Sequence, residues 1–368
     1  MSTVAPRFHA LTVARITPEA AGAVAIGLQV PAALQDSFQF QPGQFLTLRA
    51  TIDGVDVRRS YSISCTRQHL QHLGELEVGI RPVQGGVFSN WAATQLKVGD
   101  SLRVMPPEGR FVSQRPRALH RVGFAAGSGI TPILSIMASS LQEQPESKFT
   151  LVYGNRRMSS VMFNEALQDL KDQYPDRLTL IHVLSRQAQE APLLEGRIDE
   201  AKVHDLVQAL LPAASMDEVF ICGPEAMIEA TEKGLLAAGV PANRIHSERF
   251  TSPTLEALPA GERHKAVLGT SGQSQGQIAL TVVLDGKSHE MKMSAHEHVL
   301  DVALASGLDL PYSCKGGVCC TCRAKVMQGS VVMDKNFTLE TWESDQGFVL
   351  SCQARPTSDA VVISYDER

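Results

Sequence analysis

Up to about residue 113 the chain alternates apolar and polar positions in short runs, among them "FHALTVARITPE", "AVAIGLQV", "GQFLTLRATI", "RRSYSIS", "GELEVGIRPV" and "DSLRVMPPEG". A period of two puts successive side chains on opposite faces of a strand, and the Pro, Gly and Asp between the runs supply turns. Residues 1–113 are therefore predicted to form an antiparallel β-barrel. The texture changes at about 118. "RVGFAAGSGITPILSIMASSL" reads as strand, glycine turn and helix, and "KFTLVYGN" is a strand before the helical "MFNEALQDLKDQY". "LTLIHVLSR" and "EVFICGP" are further strands, the second followed by the helical "EAMIEATEKGLLAAG". Strands alternating with helices predict a parallel, doubly wound α/β unit over 114–250. Residues 251–276, rich in Gly, Ser, Pro and Thr, are expected to be a linker. A third unit, 277–368, opens with two strands ("QIALTVVLDG", "KSHEMKMS") and a helix ("HVLDVALASG"), passes through a cysteine-rich loop and returns to strands.

The 368 residues are 43% hydrophobic and 20% charged, a composition that supports two or three domains with cores of their own. A formal net charge of −5 advertises no dominant basic surface, so nucleic acid is not an expected partner. No apolar stretch approaches the roughly 18 residues that span a bilayer, and no membrane partner is expected. "MSTVAPRFHALTVARI" lacks a basic segment followed by an apolar core and a cleavage site. Seven cysteines, an odd number without a visible secretion signal, point to a reducing compartment, and the expected location is cytoplasmic.

"CKGGVCCTC" (314–322) packs four of those cysteines together, and Cys352 stands apart. Cys314-x4-Cys319-x2-Cys322 with a remote Cys352 is the spacing of a plant-type [2Fe–2S] site, in which four thiolates bind two irons. A structural zinc site, the alternative, usually shows two compact CxxC pairs. Gly316 and Gly317 let the loop wrap closely around an anion with backbone N–H groups turned toward it. Cys320 is left over, either as a small residue filling a tight loop or as a spare ligand.

"AAGSGITP" (125–132) follows a strand and opens a helix. Gly127 and Gly129 allow close approach of a pyrophosphate, which a helix N-terminus favours electrostatically, and Thr131 suits a phosphate contact or a cap. "ICGP" (221–224), holding Cys222, Gly223 and Pro224, closes another strand. A reader of a free ribose 2′-OH normally supplies Asp or Glu at the strand ends. Here "YGNRR" and "LSR" offer Arg156, Arg157, Ser185 and Arg186, which favours NADPH over NADH unless the arginines are mere surface charge. In "RRSYSIS", Arg59 suits a pyrophosphate, Tyr61 a planar ring and Ser62 that ring's edge. "QGGVFSNW" (84–91) is a second glycine turn leading into a helix, another phosphate seat.

Together these segments resemble the ferredoxin–NADP reductase family. Its FAD signature R-x-Y-S matches Arg59, Tyr61 and Ser62; its second flavin-phosphate turn matches Gly85, Gly86 and Ser89; its nicotinamide dinucleotide motifs match "GSGITP" and "CGP". The C-terminal unit resembles plant-type ferredoxins. The order of units narrows the resemblance to oxygenase reductases. "PGQFLTLRA", "RRSYSI", "YGNR", "HSERF", "CKGGVC" and "VLSCQA" bring it closest to the reductase components of phenylacetyl-CoA epoxidases, over nearly the whole chain. The paired arginines before "SYS" and the FAD-type turn separate it from the FMN-dependent phthalate dioxygenase reductases, which share the domain order. Cys320 departs from the small uncharged residues expected there.

The resemblance implies an antiparallel FAD-binding barrel, a doubly wound NADP-binding domain and a β-grasp ferredoxin domain. It places Ser62 near the flavin's reactive nitrogen, Cys222 near the nicotinamide, and Glu248 and Phe250 of "SERF" against the flavin. It implies FAD, a [2Fe–2S] cluster held by Cys314, Cys319, Cys322 and Cys352, and NADPH as cofactors. The partner it implies is the oxygenase component of a multicomponent monooxygenase, acting on phenylacetyl-CoA. Nicotinamide gives up a hydride, the cluster takes one electron, and a flavin between them reconciles the two. A stand-alone NADPH dehydrogenase reducing quinones, a reductase for another ring-hydroxylating oxygenase and a redox-sensing interaction protein are the competing readings.

Overall fold

A computed structural model describes residues 8–115, 117–250 and 277–367. The predicted linker, 251–276, lies outside the described residues. The first unit consists of strands β1 (His9–Pro18), β2 (Val24–Gln29), β3 (Phe45–Ile52), β4 (Val55–Ser62), β5 (Glu75–Ile80) and β6 (Ser101–Val104). They pair antiparallel in the order β4-β3-β6-β1-β2-β5, and an Ile63–Val78 bridge brings the end of β4 against β5. The alternation predicted from the sequence is realised: Leu11, Val13, Ile26, Leu28, Leu46 and Leu48 fill the interior. β3 turns into β4 through Asp53 and Gly54, both at positive φ, the conformation that a tight two-residue hairpin requires. Helix α1 (Arg67–Leu73) was not expected, because only Leu70 of its seven residues is buried and no helical period shows. Its start is held by Thr66, which accepts from the His69 amide at 3.2 Å, and α2 (Val87–Thr94) follows the predicted glycine turn.

The second unit alternates β7 (His120–Ala126), α3 (Ile130–Glu143), β8 (Lys148–Asn155), α4 (Asn164–Gln173), β9 (Leu178–Leu184), α5 (Glu200–Ala209), β10 (Glu218–Cys222), α6 (Glu225–Ala237) and β11 (Ile245–Glu248). All neighbours are parallel in the order β11-β10-β7-β8-β9. The chain begins in the middle, winds out through β9 and then crosses back to β10. That reversal opens a crevice between β7 and β10 at the carboxyl ends of the strands, where such sheets bind ligands. α3 is buried on almost every face, because the sheet lies on one side and Ala23 and Ala25 of the barrel join the same core on another. The two units therefore share a hydrophobic core.

Arg121 and Glu218, both 0% exposed, pin the crossing between those units. Glu218 accepts from the Ser113 hydroxyl (2.7 Å) and the Gln114 and Arg115 amides (2.6 and 3.1 Å). Arg121 donates to the Arg115 carbonyl (2.6 Å) and to Gln144 (2.8 Å).

The third unit comprises β12 (Ile278–Leu284), β13 (Lys287–Met293), α7 (Val299–Ala305), β14 (Arg323–Gln328), β15 (Val331–Met333), α8 (Thr341–Asp345), β16 (Phe348–Leu350), β17 (Ala354–Pro356) and β18 (Ala360–Ser364). A mixed sheet β13-β12-β18-β14-β16 packs Leu280, Val282, Ile363 and Tyr365 against Val299, Leu300 and Ala303 of α7. This is the β-grasp arrangement. Among the described residues no helix is long and apolar enough to cross a membrane.

Candidate functional site

Three predicted segments meet at the crevice of the parallel sheet. Gly127–Gly129 form a tight turn that runs directly into α3, so the free N–H groups of a long helix face the opening. Gly127 sits at φ +55°, and the Tyr153 hydroxyl from β8 donates to its carbonyl at 2.8 Å. A Cβ on Gly129 would lie 2.1 Å from the Cys222 carbonyl oxygen, so this glycine is required by packing against β10. The Thr131 hydroxyl is turned inward, donating to the Ser128 carbonyl at 3.0 Å; it caps the turn. Gly223 and Pro224 lead from β10 into α6, and a Cβ on Gly223 would meet Met227 at 2.8 Å. At the ends of β8 and β9, the Arg186 amide donates to the Arg156 carbonyl (2.9 Å) and that of Ser185 to Asn155 (2.9 Å). Arg156 and Arg186 are thereby exposed side by side. Arg81, just after β5, reaches the same turn from the barrel: its Nη1 lies 2.9 Å from where a Gly127 Cβ would be. Nothing in "GIRPV" marked it.

Ser62, Cys222 and Glu248 come together at the seam of barrel and sheet. Cys222 and Glu248 are register partners on β10 and β11, and the Ser62 hydroxyl donates to Glu248 at 3.0 Å. Burial raises Glu248 to about 8, although the Ser62 bond opposes the rise. Burial, reinforced by Glu248, holds the Cys222 thiol well above its ordinary range. Phe250 is not part of this group; it is 40% exposed. A carboxyl raised on folding keeps a proton that the unfolded chain releases, so its stabilisation is complete below about pH 4.5 and is lost as pH rises through about 8. The urea midpoint is expected to fall between pH 6 and pH 8.5, and Glu248→Gln to flatten that fall.

On β4, Tyr61 packs against Phe88 with ring centroids 5.6 Å apart. Arg59 is largely buried, so burial lowers its pKa, and it donates to the Arg58 carbonyl at 2.6 Å. A desolvated guanidinium that pairs with no carboxylate among the described residues fits a ligand pyrophosphate. Gly85 has φ +72°, and a Cβ on Gly86 would lie 2.6 Å from the Ser89 hydroxyl, which accepts from the Val83 amide.

The cysteine loop follows directly. Cys314 and Cys319 are near enough to shift one another's ionisation, as are Cys322 and Cys352. Among the described residues no three His, Cys, Asp or Glu side chains surround a single ion position. Two pairs of thiols fit two irons with two thiolates each; a zinc site needs four on one ion. Cys319, against burial, pulls Cys314 down to about 6, and amides of Gly316, Val318 and Cys319 add to the effect. Cys320 points elsewhere, its thiol donating to the Thr338 hydroxyl at 3.1 Å.

This loop is seated against the flavin-type strand. The Ser60 hydroxyl donates to Ser313 at 2.8 Å. Arg58, 3% exposed, donates to the Leu310 carbonyl (3.0 Å) and Asp309 (2.5 Å) and lies over the Tyr312 ring. Arg49 also reaches Asp309 at 3.0 Å. Farther along, Arg110 pairs through both nitrogens with Glu343, which Arg323 holds from its own domain at 2.8 Å. Between these contacts lies a cavity of about 410 Å³ lined by Phe45, Arg110, Glu248, Cys319 and Phe337.

Residues 22–112 match the oxidoreductase FAD-binding domain family, 124–233 the oxidoreductase NAD-binding domain family and 282–357 the 2Fe-2S iron-sulfur cluster binding domain family. The chain is 46% identical to a component of the 1,2-phenylacetyl-CoA epoxidase of Escherichia coli (strain K12), over 98% of both chains. The chain belongs to the family of flavin- and [2Fe–2S]-containing oxygenase reductases. Another relative is the ferredoxin reductase component of 3-ketosteroid-9-alpha-monooxygenase from Mycolicibacterium smegmatis, 36% identical over 97% of both chains. The solved structure of phthalate dioxygenase reductase shares the fold across 97% of this chain and 98% of that one (TM-score 0.59, 20% identity). An intact type IV self-sufficient cytochrome P450 monooxygenase matches 97% of this chain, which spans 41% of that one (TM-score 0.66, 21% identity).

As an oxygenase reductase, the protein is an oxidoreductase that carries electrons from a nicotinamide dinucleotide through FAD and a [2Fe–2S] cluster. Sequence reading missed four side chains of the assembled site: Arg81, Tyr153, Arg58 and Glu343. Arg81, Arg58 and Glu343 reach across units and Tyr153 across strands of one unit, and the period of the sequence records no such pairing.

Proposed function

We propose that this reductase takes electrons from NADPH and delivers them to the oxygenase component of a phenylacetyl-CoA epoxidase, in the cytoplasm. The observation that supports it best is the seating of the cluster loop on β4, which brings the residue before Cys314 into hydrogen-bond contact with the strand of Arg59, Tyr61 and Ser62. FAD held here would supply the conversion between the electron pair of a hydride and the single electrons a [2Fe–2S] cluster takes. Arg59 and the Gly85–Gly86 turn hold its phosphates, and Tyr61 packs on its ring. Ser62 and protonated Glu248 present hydrogen bonds at the seam, while Cys222 and Gly223 leave room for the nicotinamide beside them. Arg81 and the first turn of α3 take the dinucleotide pyrophosphate. Arg156, Ser185 and Arg186 take the 2′-phosphate.

NADPH consumption by the purified protein mixed with that oxygenase, with and without phenylacetyl-CoA, tests the assignment. Strong stimulation that requires both, with epoxide in proportion, is expected; small acceptors turning over with no effect of the oxygenase would refute the partner. Arg156→Ala/Arg186→Ala is expected to raise the KM for NADPH by about tenfold or more, as charge-assisted bonds to a phosphate are lost, with little change for NADH. Arg81→Ala is expected to raise both.

A further inference from the structure

Cys352 is remote in sequence from the other three thiols, and its two neighbours tie it back to their loop. On one side Ser351 donates to the Cys322 carbonyl through its amide (3.1 Å) and its hydroxyl (2.9 Å). The Tyr365 hydroxyl in turn donates to the Ser351 hydroxyl at 2.6 Å. On the other side Gln353, buried, donates through Nε2 to the Lys315 carbonyl (3.0 Å) and to the Cys352 carbonyl (2.9 Å). Lys315 sits at φ +50°, so the first of these bonds braces a turn that a non-glycine residue rarely adopts.

The two neighbours differ in one respect. Ser351 and Tyr365 direct their hydrogens to oxygen atoms, whereas Gln353 Nε2 also lies 3.6 Å from Cys352 Sγ. Two carbonyl acceptors decide which end of this amide faces them, because only its NH2 group donates. The donor end is therefore held beside the sulfur and out of water. A neutral thiol accepts weakly, but a thiolate ligand is an anion, and hydrogen bonds to ionised acceptors are the strong ones.

We propose that Gln353 sets the reduction potential of the [2Fe–2S] cluster through its amide bond to the Cys352 sulfur. One added electron makes the cluster and its thiolates more negative, so a fixed donor bonds the reduced form more strongly and raises the potential. Gln353 is a positioning residue: it acts through Cys352 and touches no substrate. The inference rests on Cys352 being a ligand and is independent of which dinucleotide or acceptor the protein uses.

Redox titration of the holoprotein, followed by cluster absorbance, tests it. Gln353→Met keeps an unbranched side chain and removes the donor. Its cluster is expected to be about tenfold harder to reduce, the low end of what a hydrogen bond to a charged group contributes, or about 59 mV for one electron. Tyr365→Phe is the contrast, since it loosens the tie to Cys322 without removing a donor from a sulfur; its midpoint is expected to match the parent's. A Gln353→Met midpoint equal to the parent's overturns the proposal, as does an equal fall in both variants, which would make packing the cause. A second measurement needs no substitution. The reduced cluster carries an unpaired spin, and pulsed EPR of the parent protein labelled with nitrogen-15 on its glutamine side chains is expected to show coupling to an amide nitrogen. Absence of that coupling overturns the proposal even where Gln353→Met fails to hold its cluster. Iron content of Cys352→Ala tests the premise separately: a full cluster there removes the ligand, whereas failure of the potential to move leaves the ligand in place and removes only the role of Gln353.

Discussion

Replacing Cys352 by alanine is expected to leave a protein that still oxidises NADPH with ferricyanide, a small acceptor served by the flavin, but passes no electrons to a protein acceptor. Cys352 is paired with Cys322 inside the β-grasp core and lies between Ser351 and Gln353, both buried. Its loss leaves one iron with a single protein thiolate, and thiolates are what hold this cluster type. No neighbour can substitute: among the described residues the only other thiol near the loop, Cys320, is turned away toward Thr338. Iron and sulfide content and the visible absorption of the cluster are expected to drop to background, while bound FAD is retained. Cys320→Ala is the contrast and is expected to keep its cluster. Loss of the cluster in that variant, with retention in Cys352→Ala, would reverse the ligand assignment.

The second large effect concerns stability. Glu218→Ala is expected to destabilise the nucleotide-binding unit by about 3–5 kcal/mol, the cost of leaving the buried cation Arg121 without its partner. The loss also strips the acceptor from the Ser113 hydroxyl and from the Gln114 and Arg115 amides, so the segment joining barrel and sheet loosens with it. Burial alone would raise this carboxyl, yet nearby His246, the bonds from Ser113 and Gln114, and Arg121 hold it below its ordinary range. It is therefore charged at neutral pH. Denaturant unfolding measures the effect, and the double variant Arg121→Met/Glu218→Leu is expected to recover much of it, because an apolar pair carries no desolvation cost. Equal loss in the single and double variants would show that packing, not charge, is what matters there.

Much of this architecture was legible because the pattern that encodes it is local. The period-two runs of the barrel and the strand–helix alternation after residue 118 place their side chains within one element, and those elements form as read. α1, α5 and α8 were missed: α1 has one buried leucine in seven residues and α8 is only five residues long, whereas α5 does carry a helical stripe, Val203, Leu206 and Val207, that the reading passed over. The glycine motifs were found, but two of their roles differ from the simple reading. Gly129 is required by the Cys222 carbonyl, and Thr131 bonds within its own turn. The Ser62–Glu248 contact was legible only through family resemblance, as 186 residues separate the two. The seat of the β-grasp domain left no trace in the sequence: Asp309 and Glu343 look like ordinary surface carboxylates until folding sets arginines opposite them.

The claim at the centre of this account is the order of electron flow across the seat on β4. Anaerobic stopped-flow mixing of the holoprotein with NADPH, following flavin and cluster absorbance separately, tests it directly. The flavin signal is expected to bleach first and the cluster signal to follow it within the same molecule, at a rate independent of protein concentration. A flavin that bleaches fully while the cluster stays oxidised, or a cluster that bleaches only at a rate proportional to protein concentration, would contradict it.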